Sequence, residues 1–433
     1  MKIAVLFRND LRLHDHPALM TAAQHGEILP IYVMEEGLGT AFRYWTHKNL
    51  LGLQKSLTEM GGTLYFSTQN LVKTIATIKE HVDAIYFHRS YHPDHFSRDA
   101  VLEKSHPNVR SFEGSLLLPP WKTTKENGDP YKVFSPFYKN ARQKVVPAAV
   151  KAVQEATFAH ITSIATVSSN IESLNLHPHH SWTDKIDVHW MAGEEEAIQQ
   201  LKVFVHEKIA RYKVARDFPI QHGSSELSPY LAVGALSVRS MYHYLLQQAE
   251  SVAEPFIRQL FWREFAYHIL FHFPKTLHSP LNPAFAHFPW QENAEHLTAW
   301  KKGETGIPLV DAGMKELWET GYMHNRVRMN VASYLTKHLL LDYRKGMAWF
   351  WDTLIDADIA NNIFGWQWAS GCGADAAPYF RIFNPYLQAE KFDSNGLYQK
   401  EWLPNSYEEN PIVSHDAGRK RALLAYEEVK NRD

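Results

Sequence analysis

The chain opens with MKIAVLFRNDLRLHDHPAL (residues 1–19), in which an apolar run of strand length, residues 2–7, ends abruptly in charged and polar residues. Similar short runs follow at 29–33, 63–66 and 84–88, and an amphipathic helix is predicted at 42–60. Short strands that alternate with amphipathic helices are typical of a parallel sheet covered by helices. The first 130 residues therefore predict a doubly wound α/β domain.

This domain contains neither a GxGxxG nor a GxxxxGK[ST] motif. The sequence thus gives no dinucleotide fingerprint and no P-loop. A nucleotide-like ligand at the strand ends stays open, because such ligands bind beyond the carboxyl ends of parallel strands.

Composition limits the class of protein. The chain has 433 residues, 45% hydrophobic and 21% charged, which predicts a globular protein of two or three domains. No run approaches the roughly 20 apolar residues of a membrane span, and the amino terminus becomes charged before a signal-like core forms. We therefore expect a cytoplasmic protein without a membrane partner. The single cysteine, Cys372, excludes an intrachain disulfide.

Charge is nearly balanced, with 45 basic and 47 acidic residues. No field of the whole molecule would attract nucleic acid, so any DNA contact must come from a local patch.

The regular alternation stops after residue 130. Residues 151–200 contain two lysines and seven acidic residues, which favours a connector at 131–200 that runs over the surface. The run HPHH at 177–180 is interpreted as a solvated loop, and no metal site is predicted. From 201 to 433 helical periodicity dominates, with helices predicted at 257–273, 309–320, 327–341 and 347–354.

Tryptophans concentrate in this helical region. Eight of the thirteen lie between residues 262 and 368: Trp262, Trp290, Trp300, Trp318, Trp349, Trp351, Trp366 and Trp368. This concentration indicates that large aromatic rings have a particular role in this segment.

Two predicted helices place polar groups together on one face. Gln259, Trp262 and Arg263 follow helical spacing, and so do Asn325, Arg328 and Met329. Either set could bind a ligand, or the first could pack in the core while the second forms a structural salt bridge.

Three further segments carry candidate chemistry. LIDADIANNIFGWQW (354–368) puts two carboxylates and two amides among apolar residues, so either Arg328 compensates an aspartate or the cluster holds a polar heterocycle. AAPYFRIFNP (376–385) sets an arginine beside aromatics, a composition suited to phosphate contact near a stacking surface. HGSSELSP (222–229) leads into a helix and could bind phosphate, although ordinary capping explains it equally well.

Together these segments resemble the photolyase/cryptochrome flavoprotein family, and most of all bacterial cyclobutane pyrimidine dimer photolyases. The motifs that carry the resemblance are FRNDLRLHDHPAL (7–19), TGIPLVDA (305–312), WQW (366–368) and NP (384–385). They come from both predicted domains and span nearly the whole chain.

The resemblance implies an α/β antenna domain (1–130), a linker (131–200) and an all-α domain (201–433) that holds FAD in a U-shaped conformation. The serines of 222–229 would bind its phosphates, with Tyr212 and Arg263 nearby. Asp356 and Asp358 would pair with Arg328 and the N3–H of the ring, and Asn362 would face N5. The implied cofactor residues are Tyr212, Ser224, Ser225, Leu227, Ser228, Arg263, Asn325, Arg328, Asp356, Asp358 and Asn362.

The implied reaction is light-driven repair of damaged DNA. Reduced FADH⁻ would transfer an electron to a pyrimidine dimer swung out of the duplex, and the electron would return after the ring splits. Trp262 and Trp368 would stack on the flipped bases, while Asn325 and Met329 would contact the dimer. The implied phosphate contacts are Arg216, Arg263, Arg326 and Arg381.

Gln259 departs from the family pattern, because cyclobutane-dimer enzymes usually have glutamate there. An amide cannot give up a proton as a protonated carboxyl group can. The (6-4) photolyases have glutamine at this place, yet they also have histidines where this chain has Asn325 and Met329. Dimer repair therefore stays the first expectation, with (6-4) repair as the alternative.

A second departure concerns the electron relay that reduces the flavin. Trp366 and Trp290 match its ends, but the middle residue is Tyr343, which must lose a proton when it is oxidised. The relay could slow or divert through Trp349 or Trp351, unless these two simply pack in the core.

Glu113 matches a residue that binds a folate antenna such as methenyltetrahydrofolate, although a deazaflavin or an empty pocket stays open. We expect a monomer. The rival functions are a signalling cryptochrome and, more weakly, a light-independent flavin protein. Only about forty residues follow Phe392 and Asp393 in this sequence, whereas signalling receptors commonly carry a long tail after the flavin domain.

Overall fold

The computed structural model describes residues 1–146, 153, 155–161, 164–177, 182–376 and 380–430. Pro178, His179 and His180 of the histidine run, and Ala377, Pro378 and Tyr379 of the segment before Arg381, lie outside the described residues.

The amino-terminal part is a doubly wound sheet in the order β5-β4-β1-β2-β3-β6. The first five strands are parallel, and β6 pairs antiparallel with β3. The strands are β1 Lys2–Phe7, β2 Glu27–Val33, β3 Tyr65–Ser67, β4 Ala84–His88, β5 Val109–Phe112 and β6 Val167–Ser168. The helices between them are α1 Pro17–His25, α2 Thr40–Glu59, α3 Leu71–Ile78 and α4 Pro93–Ser105.

The apolar run of β1 is continuous because both of its faces are covered. Ile3, Val5 and Phe7 belong to one core, whereas Ala4 and Leu6 belong to another on the opposite face of the sheet. A strand buried on both sides is expected of a parallel sheet with helices on each face. Strand order reverses between β1 and β4, so their carboxyl ends form the crevice in which ligands of such sheets bind.

The segment 131–200 is more regular than the sequence suggested. It contains α5 Phe134–Lys144, α6 Ile186–His189 and α7 Glu194–Val203, together with strand β6. Phe134 and Phe137 of α5 are buried, because this helix packs on the long helix α10 described below. The connector is therefore attached to both domains rather than crossing the surface freely.

The described carboxyl-terminal part consists of helices and the loops that connect them, with one isolated β-bridge between Gln291 and Leu341. Its α-helices are α8 Tyr212–Ala215, α9 Ser228–Val233, α10 Val238–His272, α11 Ala294–Lys302, α12 Pro308–Thr320, α13 Asn325–Ser333, α14 Tyr343–Thr353, α15 Ile359–Ser370, α16 Pro385–Phe392, α17 Leu397–Trp402 and α18 His415–Lys430. Two π-helical turns, Phe204–Lys208 and Tyr334–His338, follow α7 and α13 directly. Short 3₁₀ turns lie at Pro120–Lys122, Ile171–Leu174, Thr183–Lys185, Ile209–Arg211, Pro219–Gln221, Pro274–Leu277 and Pro283–His287.

Helix α10 is not one uniform helix. Its backbone leaves helical geometry at Ala249 (φ −147°, ψ 23°), and Pro255 follows inside the second half. That second half carries Gln259, Trp262 and Arg263. Within the described residues no helix is both long and apolar enough for a bilayer. The predicted α/β domain and all-α domain are thus confirmed.

Candidate functional site

A buried ion pair joins α13 to the segment that precedes α15. Arg328 donates from Nη1 to Asp356 Oδ1 (3.1 Å) and from Nη2 to Asp356 Oδ2 (2.9 Å), and Ser228 donates from Oγ to the same Oδ2 (2.7 Å). Burial alone would lower the pKa of Arg328, but the carboxylate of Asp356 raises that pKa above its ordinary value. A bidentate pair fixes the relative orientation of the guanidinium plane and the carboxylate plane. The start of α9, helix α13 and the segment before α15 therefore meet in a defined geometry.

The start of α13 is held by groups from α12 and α17. His324 is the N-cap residue, and its Nδ1 accepts from the backbone N–H of Arg326 (3.2 Å). Glu316 Oε2 accepts from the N–H of His324 (3.2 Å) and from the hydroxyl of Tyr398 (2.5 Å). These bonds fix the orientation of the first turn of α13. This turn carries Asn325, Arg328 and Met329.

Asp358 is turned towards other partners than Arg328. Its Oδ1 caps α15 by accepting from the N–H of Asn361 (2.8 Å), and its Oδ2 accepts from the hydroxyl of Tyr267 on α10. On the next turn, Asn362 donates from Nδ2 to the carbonyl of Met347 (3.0 Å). Its Oδ1 is therefore the atom that can accept a hydrogen bond from a ligand.

The serine loop lies beside this ion pair. Ser225 accepts at its carbonyl from Gln200 Nε2 (3.0 Å), Leu227 is buried, and Ser228 begins α9. A Cβ on Gly223 would lie 2.5 Å from the Cβ of Ala215, so only glycine lets the loop approach α8 this closely. Tyr212 on α8 packs edge-on against Phe204 and Phe256.

The donors and acceptors present fit a flavin dinucleotide. Ser224 and Ser225 offer hydroxyls for phosphates, whereas Arg328, Asp356 and Asn362 offer a charge pair and an amide for the edge of a heterocycle. Ser228 and Asn325 are exposed although they adjoin these buried groups. Arg328, Asp356 and Ser228 thus meet at one junction in the helical domain, whereas Arg263 and Asp358 line the cavity between the domains described below.

The aromatic residues expected at the lesion have different surroundings. Trp262 stacks on Phe134 of α5 (3.7 Å between ring centroids, 7° between planes), so one of its faces is already covered. Trp368 has the Arg381 guanidinium 5.7 Å from its ring and Phe383 nearby. Asn325 and Met329 contact each other, with Nδ2 and Sδ 3.9 Å apart.

The four expected phosphate-binding arginines are not equivalent. Arg381 is exposed. Arg326 donates to Asp217 (2.5 Å), Arg216 lies over the ring of Tyr212, and Arg263 donates to the carbonyl of Ser115 (3.1 Å) inside the crevice between the domains. Arg381 is thus the arginine of the four with the most open position.

Two of the three aromatic residues of the expected relay are buried. Trp366 and Tyr343 are 2% and 3% exposed, and Trp290 lies 6.3 Å from Tyr343 between ring centroids. Burial raises the pKa of Tyr343 above its usual value. Trp366 also lies 6.1 Å from Trp300 between ring centroids.

The two alternative relay residues have structural partners. Trp349 stacks on Trp318 (6.0 Å, 5°), and Trp351 donates from Nε1 to the carbonyl of Gly37 (2.8 Å) in the α/β domain. Packing and domain contact account for both residues.

A cavity of about 360 Å³ lies between the domains, at the carboxyl ends of β1 and β4. Arg8 and His88 from those strand ends face Tyr267 and Asp358 of the helical domain across it. Sequence reasoning missed this crevice wall. The signal was present, because Arg8 directly follows a predicted strand and His88 ends another.

One charged cluster supports the crevice wall. Arg8 donates to Asp99 Oδ2 (2.9 Å) and Glu35 Oε1 (2.9 Å), and Arg98 donates to both oxygens of Glu35 (2.8 Å each). Glu113, at the end of the adjacent β5, lies 3.6 Å from Arg89.

Asp10, His16 and His88 are buried together with ligating atoms close to one another. Metal binding is disfavoured by the tautomer of His16, because its Nδ1 accepts from the N–H of Leu19 (3.1 Å). The proton of the neutral ring is then on Nε2, which points at Asp10 Oδ2 (3.1 Å) as a donor and not as a ligand.

Comparison with known proteins gives one consistent family. A family model described as "FAD binding domain of DNA photolyase" matches residues 256–410, and one described as "DNA photolyase" matches residues 3–155. The deoxyribodipyrimidine photo-lyase of Agrobacterium fabrum is 36% identical, over 99% of this chain and 98% of the relative.

Two further proteins extend the comparison. The crystal structure of a bacterial class III photolyase from Agrobacterium tumefaciens superposes with a TM-score of 0.93 at 36% identity, covering 99% of this chain and 98% of that one. Cryptochrome-2 of Arabidopsis thaliana is 34% identical over 93% of this chain and 70% of its own length.

Proposed function

The chain belongs to the photolyase/cryptochrome family of flavoproteins, and from this premise we propose that it repairs cyclobutane pyrimidine dimers in DNA with light. Its enzyme class would be that of the deoxyribodipyrimidine photo-lyases. We further propose that it acts as a monomer in the cytoplasm, on damaged DNA.

The observation that carries this proposal is the junction of Arg328, Asp356 and Ser228, with the open amide oxygen of Asn362 beside it. A buried ion pair costs desolvation, and it offers little stability that apolar packing could not supply. Its position beside the exposed residues Ser228 and Asn325 supports a role in binding a polar heterocycle.

FAD would supply the absorption of light and the electron that splits the dimer. The residues of the chain would hold and orient it: Ser224 and Ser225 at the phosphates, Arg328 and Asp356 at the polar edge of the ring. Asn362 would accept a hydrogen bond at Oδ1, since its Nδ2 is already bound to Met347.

The lesion is assigned from Asn325 and Met329. These side chains contact each other on one face of α13, where (6-4) enzymes have histidines that serve proton transfer. Neither an amide nor a thioether gives up a proton in the neutral pH range. This supports the cyclobutane dimer, whose splitting returns the electron and needs no net proton transfer.

Gln259 is oriented by its own helix. Its Nε2 donates to the carbonyl of Pro255 (3.3 Å), which takes one of its two N–H donors. The side chain would therefore meet a lesion with its remaining N–H and its Oε1, but without an acidic proton.

We propose that an antenna chromophore, a folate or a deazaflavin, binds in the crevice between the domains. The crevice is large enough for a planar ring system, and it extends from the strand ends to Asp358. Glu113 lies one strand further along the sheet edge, where it could contact a peripheral polar group.

One assay tests the main proposal. The purified protein is loaded with FAD, reduced, and given oligonucleotides that carry one defined cyclobutane or (6-4) lesion, with and without blue light. We expect restored thymines from the cyclobutane substrate in the light alone. Repair of the (6-4) substrate instead would reassign the lesion.

The second candidate is a signalling cryptochrome. It is favoured by Gln259, which lacks the acidic proton of typical dimer-repair enzymes, and by the similarity to a plant cryptochrome. A flavin-loaded protein that repairs neither lesion, but changes its partner binding in light, would support this candidate.

A further inference from the structure

Lys337 carries a buried amine for which the site described above has no use. It lies in the π-helical turn Tyr334–His338, directly after α13, and it is 0% exposed. No carboxylate among the described residues forms an ion pair with its Nζ. Burial lowers the pKa of the Lys337 amine well below its ordinary value, so its neighbours must explain why this polar group is there.

Two contacts hold the Lys337 side chain. Nζ donates to the carbonyl of Ser370 (2.5 Å) and lies 3.3 Å from the ring centroid of Phe380. Ser370 is the last residue of α15, whose terminal carbonyls have no partner within the helix. An N–H donor there satisfies a carbonyl at the end of the helix, and the Phe380 ring covers the amine from another side.

The glycine that follows the last residue of α15 lets the Lys337 amine and the Phe380 ring lie close to the backbone. Gly371 has a left-handed backbone (φ 87°), and a Cβ there would lie 3.1 Å from Phe380 and 3.3 Å from Lys337 Nζ. The amine, the glycine and the ring therefore form one compact stack, which we call the Lys337 stack.

The Lys337 stack connects two residues of the proposed lesion side. Trp368 lies two residues before Ser370 on α15, and Arg381 directly follows Phe380. The Arg381 guanidinium is 5.7 Å from the ring of Trp368, and both line a small cavity of about 40 Å³ together with Gly371.

The segment 380–383, which carries Phe380 and Arg381, is held at two other points. The N–H of Phe383 donates to Ser333 Oγ on α13 (3.2 Å), and Tyr426 of α18 stacks on Phe380 (4.3 Å, 5°). Because Nζ and Tyr426 both lie close to the ring centre, they occupy opposite faces of Phe380. Removal of the amine would leave one face of the Phe380 ring without its contact.

We propose that Lys337 is a positioning residue for lesion binding: its buried amine holds the end of α15 against Phe380, so that Trp368 and Arg381 face the damaged strand together. This rests on the proposed function, since it assumes that these two residues bind damaged DNA.

The test begins with Lys337→Met, which keeps the length of the side chain and removes the amine. We expect the variant to bind FAD as the parent does and to bind a dimer-containing oligonucleotide about tenfold more weakly, because a buried hydrogen bond and a contact with an aromatic ring are lost. The repair rate at saturating DNA should stay within about twofold, because the stack touches neither FAD nor dimer.

Lys301→Met is the matched control. Lys301 also holds its Nζ over an aromatic ring, 4.7 Å from the ring centroid of Trp349, but it lies on α11 and does not line this cavity. Its loss should leave the affinity for damaged DNA unchanged.

The deciding measurement is a double-mutant cycle with Arg381→Ala. If Lys337 acts through Arg381, its substitution should weaken lesion binding far less in the Arg381→Ala background than in the parent. Additive losses, or an unchanged affinity of Lys337→Met, would overturn the proposal.

Phe380→Leu gives the same test from the other side of the stack if Lys337→Met fails to fold. It should reproduce the loss of affinity with normal FAD content, and a normal affinity would again overturn the proposal. A parent protein that neither binds nor repairs the lesion would instead overturn the proposed function, and this inference with it.

Discussion

At the residue scale, Gln259 is the side chain that separates this chain from typical dimer-repair enzymes. Gln259→Glu would place a carboxyl group in the same position, and a protonated carboxyl group can donate a hydrogen bond from its O–H to the lesion. We expect the quantum yield of dimer repair to rise, measured as thymines restored per absorbed photon. Gln259→Met, of similar length but without donors, should lower the yield; a yield that Gln259→Glu leaves unchanged would contradict the role given to this position.

Glu316 makes the stability of α13 depend on pH. Burial raises its pKa to about 7, from 4.5, despite the bonds from Tyr398 and His324. Between these values the folded protein binds more protons than the unfolded chain. The free energy of unfolding should therefore fall as the pH rises from about 4.5 to about 7, and then level off.

Denaturant unfolding of the parent and of Glu316→Gln, at about pH 5 and about pH 8, measures this effect. The variant should lose less stability between the two values. The difference between the two proteins is the informative quantity, because burial lowers the pKa of His324 to about 4 and acts in the opposite direction. Parallel pH profiles would show that Glu316 is ionised throughout.

At the element scale, α14 and α15 bring the relay residues together. Tyr343→Trp should speed photoreduction of the oxidised flavin, because tryptophan can be oxidised without first losing a proton. Tyr343→Phe should slow it if the electron passes this position. The rates are measured as the bleaching of flavin absorbance under blue light with an external electron donor.

A solvent isotope effect provides the control for that comparison. The parent should be slower in D₂O than in H₂O because the buried hydroxyl of Tyr343 must release its proton, whereas Tyr343→Trp should show a smaller effect. Equal rates of the parent and Tyr343→Phe would move the path to Trp300, which also neighbours Trp366.

The elements show how far sequence alone can go. The strands β1 and β4 and the helix α2 were predicted because each has a long periodic or apolar run. The four-residue strand β5 and the two-residue strand β6 were missed, since such short segments carry almost no pattern. The helix predicted at 327–341 divides into α13 and a π-helical turn, because a single inserted residue does not change the apolar pattern.

In the site, too, some features can be predicted from the sequence and others cannot. The partnership of Arg328 and Asp356 could be anticipated, because two buried charges far apart in sequence need each other. The turn of Asp358 towards Tyr267, and the cover of Phe134 on Trp262, depend on α10 and α5 crossing at particular places. No local sequence signal specifies such crossings.

At the scale of the whole molecule, Arg12 joins the two domains. It is 2% exposed and donates to the carbonyls of Gly114 (2.9 Å) and Asp15 (3.1 Å), and to that of Gly234 (3.0 Å) at the end of α9. Arg12→Ala would leave these buried carbonyls without donors, at about 1–3 kcal/mol each. We expect a lower midpoint of thermal unfolding and earlier proteolysis between the domains.

Arg239→Ala is the matched control for that prediction. Arg239 pairs with Asp15 near the same interface, but about a third of its side chain is exposed, so its loss should cost about 1 kcal/mol or less. Equal destabilisation by the two variants would mean that burial of Arg12 contributes nothing special.

The antiparallel pairing of β6 with β3 has a consequence for dissecting the molecule. The backbone of 157–159 also bonds to Ile28 of β2, so the connector pairs with both β2 and β3 on this side of the sheet. A truncated α/β domain that stopped at residue 155 would bare unpaired amide and carbonyl groups, which recruit strands from neighbouring chains. Such a fragment would aggregate. A soluble fragment of the α/β domain must therefore include the residues up to 168.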